Sequence, residues 1–462
     1  MARQRTRFSF SVEPRRERTG VALAGLRVGG LALHGATLDS FAAASSALAG
    51  DTLKGVPAAN VELRLRRQDP PMAPLDELVL LLQTAAEIEH ALMAQYLYAA
   101  YSLPDQSPQS EWRDTLIGIA RQEMGHLMAI QNLLLAIGAP LNFEREDYPF
   151  NAFYPFPFRL EPLSVASLAR YVLAEMPDPS AVPEVDPVAL LADAGAGQEI
   201  PRVGTLFVAM AELMGELSED PVFADSLPFQ ADPSEWIAEF FALVLSKVKA
   251  VGEASQLLDA IAAQGEGPNE PPAGQQPSHF RRFHSMYLKA KEHVAATGMP
   301  LSDALPVDPT VRDPQAAGYL QNPSARARGD VFNMRYRCLL FALEFQLALP
   351  GADEGRTTMR MWAFADMRAL RDIASLLKVH PQHEPVKVDE FGRRRVAGAP
   401  FEMPRSLQLP NRPIDRWRQL HQLVEFHRQQ LLALEGEDDL AAQLAEECGE
   451  RLAVIAKRLA DA

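Results

Sequence analysis

The segment RQEMGHLMAI, residues 121–130, places a glutamate and a histidine three positions apart within an apolar run. Residues three and four apart share one face of a helix, so Glu123 and His126 are expected to project together, alongside Ile119 and Ile130. An unpaired carboxylate in apolar surroundings is costly. A metal ion that takes both side chains as ligands removes this cost, and carboxylate and imidazole ligands suit iron or manganese. The pair therefore predicts a metal site.

The preceding apolar run offers a further carboxylate. Glu87 and Glu89 lie about 200° apart around a helix, so only one of them can face the interior. Glu89 shares its face with an apolar stripe formed by Leu82, Ala86, Met93 and Ala100. We therefore expect Glu89 inside and Glu87 toward solvent or a neighbour. Tyr96 follows two turns later on the face of Glu89 and is predicted to hydrogen-bond a ligand carboxylate.

Two long helices are predicted to carry these residues. The first spans residues 75–103 and stops at Pro104, and the second begins at an N-cap, Ser110, and stops near Gly138. A short loop joins them, so they should pair antiparallel. Further helices are predicted over 163–176, 203–219, 233–264, 278–296, 332–349 and 357–379, and as a terminal pair from residue 413. The fold class is therefore mainly α, with long irregular loops.

The composition is that of an ordinary globular protein, with 47% hydrophobic and 23% charged residues among 462. A net charge of −15 argues against nucleic acid and anionic membranes as general partners. The two cysteines exclude a disulfide framework and a cysteine metal cluster, and they fit a reducing compartment. No apolar run reaches about 18 residues, so no membrane span is predicted, and a cytoplasmic location is expected.

Three regions are expected along the chain. Residues 1–70 form an N-terminal arm with possible short strands in RFSFSV and VELRLR, residues 71–300 form the metal-binding bundle, and residues 301–462 form a C-terminal helical extension. The apolar stretches of the arm suggest a homodimer.

The arrangement of Glu89 and Tyr96 on one helix, and of Glu123 and His126 on its antiparallel partner, resembles the ferritin-like four-helix carboxylate bundles. In those bundles two helices each supply a Glu and two others each supply a Glu-x-x-His, and together they hold two iron or manganese ions. Residues 86–103, 123–140, 264–267 with 278–283, and 397–402 are similar to the ferritin-like family of the iminophenyl-pyruvate dimer synthases. That family includes a domain of the violacein-pathway enzyme that couples imines. The resemblance covers about residues 75–405.

The third helix should supply another carboxylate. Glu212 shares a stripe with Leu206, Ala209 and Leu213, and Glu216 competes one turn later. The competing interpretation is that Glu212 is a solvent-facing residue of an amphipathic helix.

A second intact Glu-x-x-His is absent from the sequence. The resemblance implies that Glu266 and His279, on either side of a Gly- and Pro-rich loop, return to the site in its place, with His284 and Glu344 as fallback ligands. Without the resemblance, a metal-ligand role is no better supported than a structural one: Glu266 could equally be a loop acid near a helix end, and His279 a capping or core histidine.

The resemblance implies a non-heme di-iron oxidase or oxygenase, with manganese as the alternative metal. Its expected partners are O2 or peroxide and a small, aromatic, amino-acid-derived substrate, and its expected reactions are imine oxidation or coupling. Aromatic residues of the loop over 142–163 could wall the substrate pocket: Tyr148, Phe150, Phe153, Tyr154, Phe156 and Phe158. Two other functions compete with the enzyme, namely iron storage and a metal-free structural partner in a biosynthetic complex.

Overall fold

The computed structural model describes most of the chain after residue 71, namely residues 72–104, 106, 108–145, 158–196, 202–217, 222–269, 276–403, 407–434, 436 and 438–461. The chain divides into two compact units, Met1–Leu63 and Arg64–Ala462. In the first unit the described residues form an antiparallel pair of short strands, β1 (Arg27–Val28) and β2 (Leu31–Ala32), with Val28 opposite Leu31. The predicted strands in residues 7–12 and 61–66 lie outside the described residues.

Two long helices form the centre of the second unit, as predicted. Helix α1 spans Pro74–Tyr101 and helix α2 spans Gln109–Ala136, and they pack along each other as an antiparallel pair. Proline suits the first position of α1, because its missing N–H would have no partner there. The predicted N-cap at Ser110 is wrong, since α2 already begins at Gln109. Past the end of α2, Gly138 takes a φ of +75°, which favours glycine.

Seven shorter helices surround this pair. They are α3 (Val165–Ala174), α4 (Pro187–Ala194), α5 (Val203–Gly215), α6 (Val222–Ser226), α7 (Ala238–Phe241), α8 (Val251–Glu266) and α9 (His279–Thr297). Helix α5 packs against α1 and α8, whereas α9 packs against α3 and contacts α2 and α8. Ser164 and Ser278 accept hydrogen bonds from the first turns of α3 and α9, which fixes where these helices begin.

The helix predicted over residues 233–264 is broken in two. Ile237 and Ala242 adopt φ values of +52° and +53°, so only the four residues between them are helical. The chain then runs extended until α8. Side-chain amides hold this extended segment: Asn132 donates to the carbonyl of Ser246 at 2.9 Å, and Gln230 bonds both the N–H and the carbonyl of Val248. Tertiary hydrogen bonds therefore replace those of the expected helix.

The C-terminal region consists of four helices, α10 (Pro323–Leu347), α11 (Glu354–Leu377), α12 (Pro413–Leu432) and α13 (Asp439–Ala460). Helix α10 pairs with α11 and α12 pairs with α13, while α10 also contacts α12. The mainly helical prediction is thus confirmed. No helix in the described part of the chain is long and apolar enough to cross a membrane. The homodimer and the cytoplasmic location stay predictions.

A buried ion network joins three of the C-terminal helices. Asp366 on α11 is fully buried and lies 2.8 Å from the Nε of Arg335 on α10 and 2.7 Å from Nη2 of Arg451 on α13. Both arginines also contact the carboxylate of Glu447. Two carboxylates thus compensate two guanidinium groups within the protein interior.

Replacing Asp366 by alanine should lower the free energy of unfolding by about 3–5 kcal/mol, because two buried guanidinium groups lose their shared partner. Urea unfolding followed by circular dichroism measures this change. Asp372→Ala on the same helix is the control. The carboxylate of Asp372 is half exposed and forms a surface ion pair with Arg371 at 3.4 Å, so its loss should lower the free energy of unfolding by less than about 1 kcal/mol. Equal effects of the two substitutions would contradict the prediction.

Candidate metal centre

Five helices converge on a buried cluster of carboxylates and imidazoles. Helix α1 supplies Glu89 and helix α2 supplies Glu123 and His126, while further donors come from the ends of shorter helices: Glu175 after α3, Glu266 at the end of α8 and His279 at the start of α9. Most of these side chains line a small internal cavity of ≈ 10 Å³. That is about the space of one water-sized sphere.

Glu123 lies at the centre of the cluster, between the two histidines. Its Oε2 is 2.9 Å from Nδ1 of His126, and its Oε1 is 2.8 Å from Nδ1 of His279. The two imidazole rings stack with their centroids 5.4 Å apart. Donor atoms of all three residues lie within 4.8 Å of one another. The geometry is that of a carboxylate that can bridge two ions, with one histidine on each side.

A further carboxylate accompanies each histidine. Glu89 Oε2 lies 3.4 Å from Nδ1 of His126, and Glu175 Oε2 lies 3.9 Å from Nδ1 of His279. Glu266 approaches from the side of α5, where it accepts a hydrogen bond from the backbone N–H of Gly204. Gly204 is in the first turn of α5, and a helix N-terminus favours an anionic partner.

Burial governs the protonation of the cluster. It raises the pKa of Glu89 and of Glu266 to about 8, and it raises the pKa of Glu175 well above its ordinary value. Burial would do the same to Glu123, but the adjacent imidazoles of His279 and His126 hold its pKa well below the ordinary value. Burial lowers the pKa of His279 to about 4. The protein alone therefore does not balance four ionised carboxylates here.

Three buried atoms of the cluster make close contacts that do not meet hydrogen-bond geometry. Oε1 of Glu123 and Nδ1 of His279 lie 2.8 Å apart, and Oε2 of Glu89 lies 3.4 Å from Nδ1 of His126. Buried polar atoms rarely go unpaired, and such atoms call for an explanation. All three belong to side chains that bind iron or manganese well. The donor set of four carboxylates and two imidazoles therefore fits divalent metal ions.

Comparison with known proteins agrees with this geometry. Residues 82–288 match the family model described as Ferritin-like. The chain contains a ferritin-like domain. Its residues 82–288 include all six donors of the cluster, and the predicted ferritin-like fold is confirmed.

Two curated proteins are similar to more than half of the chain. Dichlorochromopyrrolate synthase of Lentzea aerocolonigenes is 26% identical over 400 residues, which cover 73% of this chain and 37% of that protein. The 2-imino-3-(indol-3-yl)propanoate dimerase of Chromobacterium violaceum is 27% identical over 336 residues, which cover 62% of this chain and 31% of that protein. The chain thus spans only about a third of the length of these relatives.

A solved structure of a ferritin-like protein from Caulobacter vibrioides is also similar. It is 20% identical with a TM-score of 0.41, and the match covers 66% of this chain and 97% of that one.

The structure brings five of the six predicted ligands of the ferritin-like domain together and excludes the sixth. Glu212 lies exposed on α5, and so does Glu216. The buried face of this helix is formed by Leu206, Met210, Leu213 and Met214. Glu212 lies opposite that face, because a helix turns about 100° per residue. We therefore replace Glu212 by Glu175 in the proposed ligand set.

The sequence analysis missed Glu175, which follows the last turn of α3. The acid lies within the apolar run YVLAEM, and this was the available signal. Tyr96 is fully buried and donates a hydrogen bond to Oε1 of Glu175 at 2.7 Å. Both fallback ligands lie outside the cluster: His284 stacks on Phe280, and Glu344 is on α10. Glu87 accepts a hydrogen bond from Asn142.

Replacing Glu175 by alanine should remove one of about two bound ions, because the side of His279 loses its carboxylate. Iron per chain, measured by elemental analysis after anaerobic loading with ferrous iron, checks this. Glu212→Ala is the matched control and should leave the iron content unchanged. Loss of iron in the Glu212 variant and not in the Glu175 variant would restore the original prediction.

Gly204 leaves room for the carboxylate of Glu266, since a Cβ at this position would overlap that group. Gly204→Ala should therefore displace Glu266 and weaken metal binding at least about tenfold while α5 stays folded. Gly215→Ala, on the same helix but with open space around its Cβ, should bind metal as the wild type does. Chelator competition measures the affinities, and unchanged affinity in Gly204→Ala would argue against Glu266 as a ligand.

Proposed function

We propose that the chain is a non-heme di-metal oxidase or oxygenase, with iron as the metal, that acts on a small, aromatic, amino-acid-derived substrate. The observation that carries the proposal is the position of Glu123 between two histidines, with a further carboxylate beside each of them. This donor set is the one with which ferritin-like bundles hold two ions.

The residues divide into two halves around the shared carboxylate. Glu89 and His126 would hold one ion, Glu175 and His279 would hold the other, and Glu123 would bridge them. Glu266 would complete the set from the side of α5. Ferrous ions held by these residues would supply electrons to O2 or peroxide for the oxidation of a substrate. The protein shields the ligand side chains from water and directs their donor atoms toward one point.

Aromatic side chains close the centre on the side of Glu175. The ring of Tyr96 lies 4.8 Å from those of Tyr171 and Phe283, and all three are buried. Tyr96 thereby holds the carboxylate of Glu175 with its hydroxyl group while its ring excludes water. This arrangement limits access to the metal ions from that direction.

Access is open on the side of Glu266, which also lines a second, larger cavity of ≈ 1020 Å³. A cavity of this size can receive a drug-sized molecule. Exposed apolar side chains of Phe240 and Val208 border it together with the guanidinium group of Arg202. Its position beside the cluster supports a substrate that reaches the metal ions past Glu266.

The predicted aromatic wall falls largely outside the residues that the structure describes. Five of its six residues fall within 146–157, outside the described residues. The sixth, Phe158, lies 3.8 Å from the guanidinium carbon of Arg145 and is not part of the larger cavity. The aromatic preference of the proposed substrate therefore rests on other evidence.

The names of the two curated relatives supply that evidence. One is a chromopyrrolate synthase and the other dimerises an indolyl imine. Because both names refer to aromatic compounds with pyrrole or indole rings, we propose an aromatic imine, or its amino-acid precursor, as the substrate class. Coupling or oxidation of such imines in secondary metabolism is the reaction proposed.

The deciding experiment combines metal analysis with oxygen uptake. We expect about two ions per chain and steady O2 consumption that requires an aromatic 2-imino acid, formed in solution from the 2-oxo acid and ammonium. Glu123→Ala should lose both, because it removes the shared ligand. An oxygen electrode and elemental analysis provide the measurements.

The two competing functions predict different results. Iron storage predicts uptake that stops once the added ferrous iron is oxidised, whatever organic compound is present. A metal-free structural protein predicts no bound iron even after anaerobic loading, and no difference between wild type and Glu123→Ala.

A further inference from the structure

We propose that the backbone carbonyl of Ala242 sets the orientation and the tautomer of both histidine ligands, through the side chains of Gln122 and Gln264. This inference rests on the metal centre of the proposed function. It assigns positioning roles to two glutamines and to a loop that the ligand set does not include.

The contacts form two parallel chains that start at one oxygen atom. Gln264 donates from Nε2 to the carbonyl of Ala242 at 2.8 Å, and its Oε1 lies 2.9 Å from Nε2 of His126. Gln122 donates from Nε2 to the same carbonyl at 3.2 Å, and its Oε1 lies 3.2 Å from Nε2 of His279. Each histidine is thus held on the side that faces away from Glu123.

The chemistry of the carbonyl decides the direction of every bond in these chains. A carbonyl oxygen only accepts hydrogen bonds, so each glutamine must turn its NH2 group toward Ala242 and its oxygen toward the histidine. Each histidine must then carry a hydrogen on Nε2. In the neutral imidazole this leaves the lone pair on Nδ1, the atom that faces Glu123 and would face a metal ion.

A second donor supports the orientation of Gln122. Nη2 of Arg282 also donates to Oε1 of Gln122. Because arginine cannot accept a hydrogen bond, this contact requires the oxygen of the amide at that position.

The backbone around Ala242 is shaped to deliver its carbonyl. Ala242 has a φ of +53°, a conformation that costs free energy for a residue other than glycine. The loop can approach α2 closely because Gly125 lies between Glu123 and His126. A Cβ at Gly125 would lie 3.0 Å from the Cβ of Leu243, which is tighter than nearly all real contacts. The glycine of EMGH thus provides the space for the loop.

The same loop borders the larger cavity through Glu239, Phe240 and Ala242, and both glutamines line it as well. The positioning groups therefore lie between the proposed substrate and the metal ions. They form the wall that a substrate contacts before it reaches the ligands.

The test measures Mn2+ binding to the metal-free full chain by electron paramagnetic resonance. Gln264→Met and Gln122→Met keep the side-chain length and remove the amide. Each should weaken binding of one of about two ions by 10–100-fold. The exchange-coupled signal of a manganese pair should give way to that of a single ion. Gln276→Met is the matched control, since Gln276 contacts Gln122 at 3.3 Å and no histidine contact is described for it; it should bind as the wild type does.

A pair of glycine variants on α2 tests the loop itself. Gly125→Ala should push Leu243 and the carbonyl of Ala242 away, and so weaken both ions together. Gly118→Ala is its control, because the nearest atom to its Cβ is 4.0 Å away. Helical content by circular dichroism should be equal in all variants.

The outcomes separate this inference from the proposed function. A wild type that binds a Mn2+ pair, with both methionine variants binding it equally well, would overturn the positioning role and leave the metal centre in place. A wild type that binds no Mn2+ or Fe2+ would overturn the metal centre, and the inference with it.

Discussion

The fold of the ferritin-like domain depends on one electrostatic constraint, the convergence of four carboxylates, three of them buried, on two buried imidazoles. Bringing one ionised carboxylate into the interior costs free energy, and the protein brings four carboxylates together from four separate helices. The pKa of Glu123 is low because a histidine lies within 3 Å of each of its oxygens, whereas the pKa values of its three carboxylate neighbours are raised. Divalent ions at this point would supply the missing positive charge and tie the helices together.

Much of the surrounding structure makes this convergence sterically feasible. Gly204 leaves room for Glu266, and Gly125 leaves room for the loop that carries Ala242. Tyr96 donates a hydrogen bond to Glu175. The two glutamines bond the Nε2 atoms of the histidines, which face away from the shared carboxylate of Glu123. These contacts join residues that are far apart in the sequence. Between residues 233 and 250, tertiary hydrogen bonds likewise replace those of the helix that local propensity favours.

Helical periodicity was enough to place Glu89, Glu123 and His126, because long apolar helices present a clear face. Glu266 and His279 required the family resemblance, since the chain between them is irregular and spacing carries no information there. Glu212 was chosen by its stripe on α5, yet only Leu206 and Leu213 of that stripe are buried, and the buried face continues through Met210 and Met214, away from Glu212. Glu175 has no second ligand three or four residues away that would have marked it in the sequence. It enters the centre because α3 ends beside it, and only the packing of α3 against α9 reveals this.

The chain also contains a second buried ion cluster, in which the charges are balanced by protein side chains alone. Around Asp366, two guanidinium groups meet two carboxylates, so the charges balance within the protein itself. Such a network joins helices and needs no ligand. Around Glu123 the carboxylates outnumber the imidazoles two to one. Arg282 also faces Glu123 and Glu175, but its single positive charge does not offset four carboxylates. Since the same protein balances its charges at Asp366, the imbalance at Glu123 supports the proposal that this cluster binds a cation.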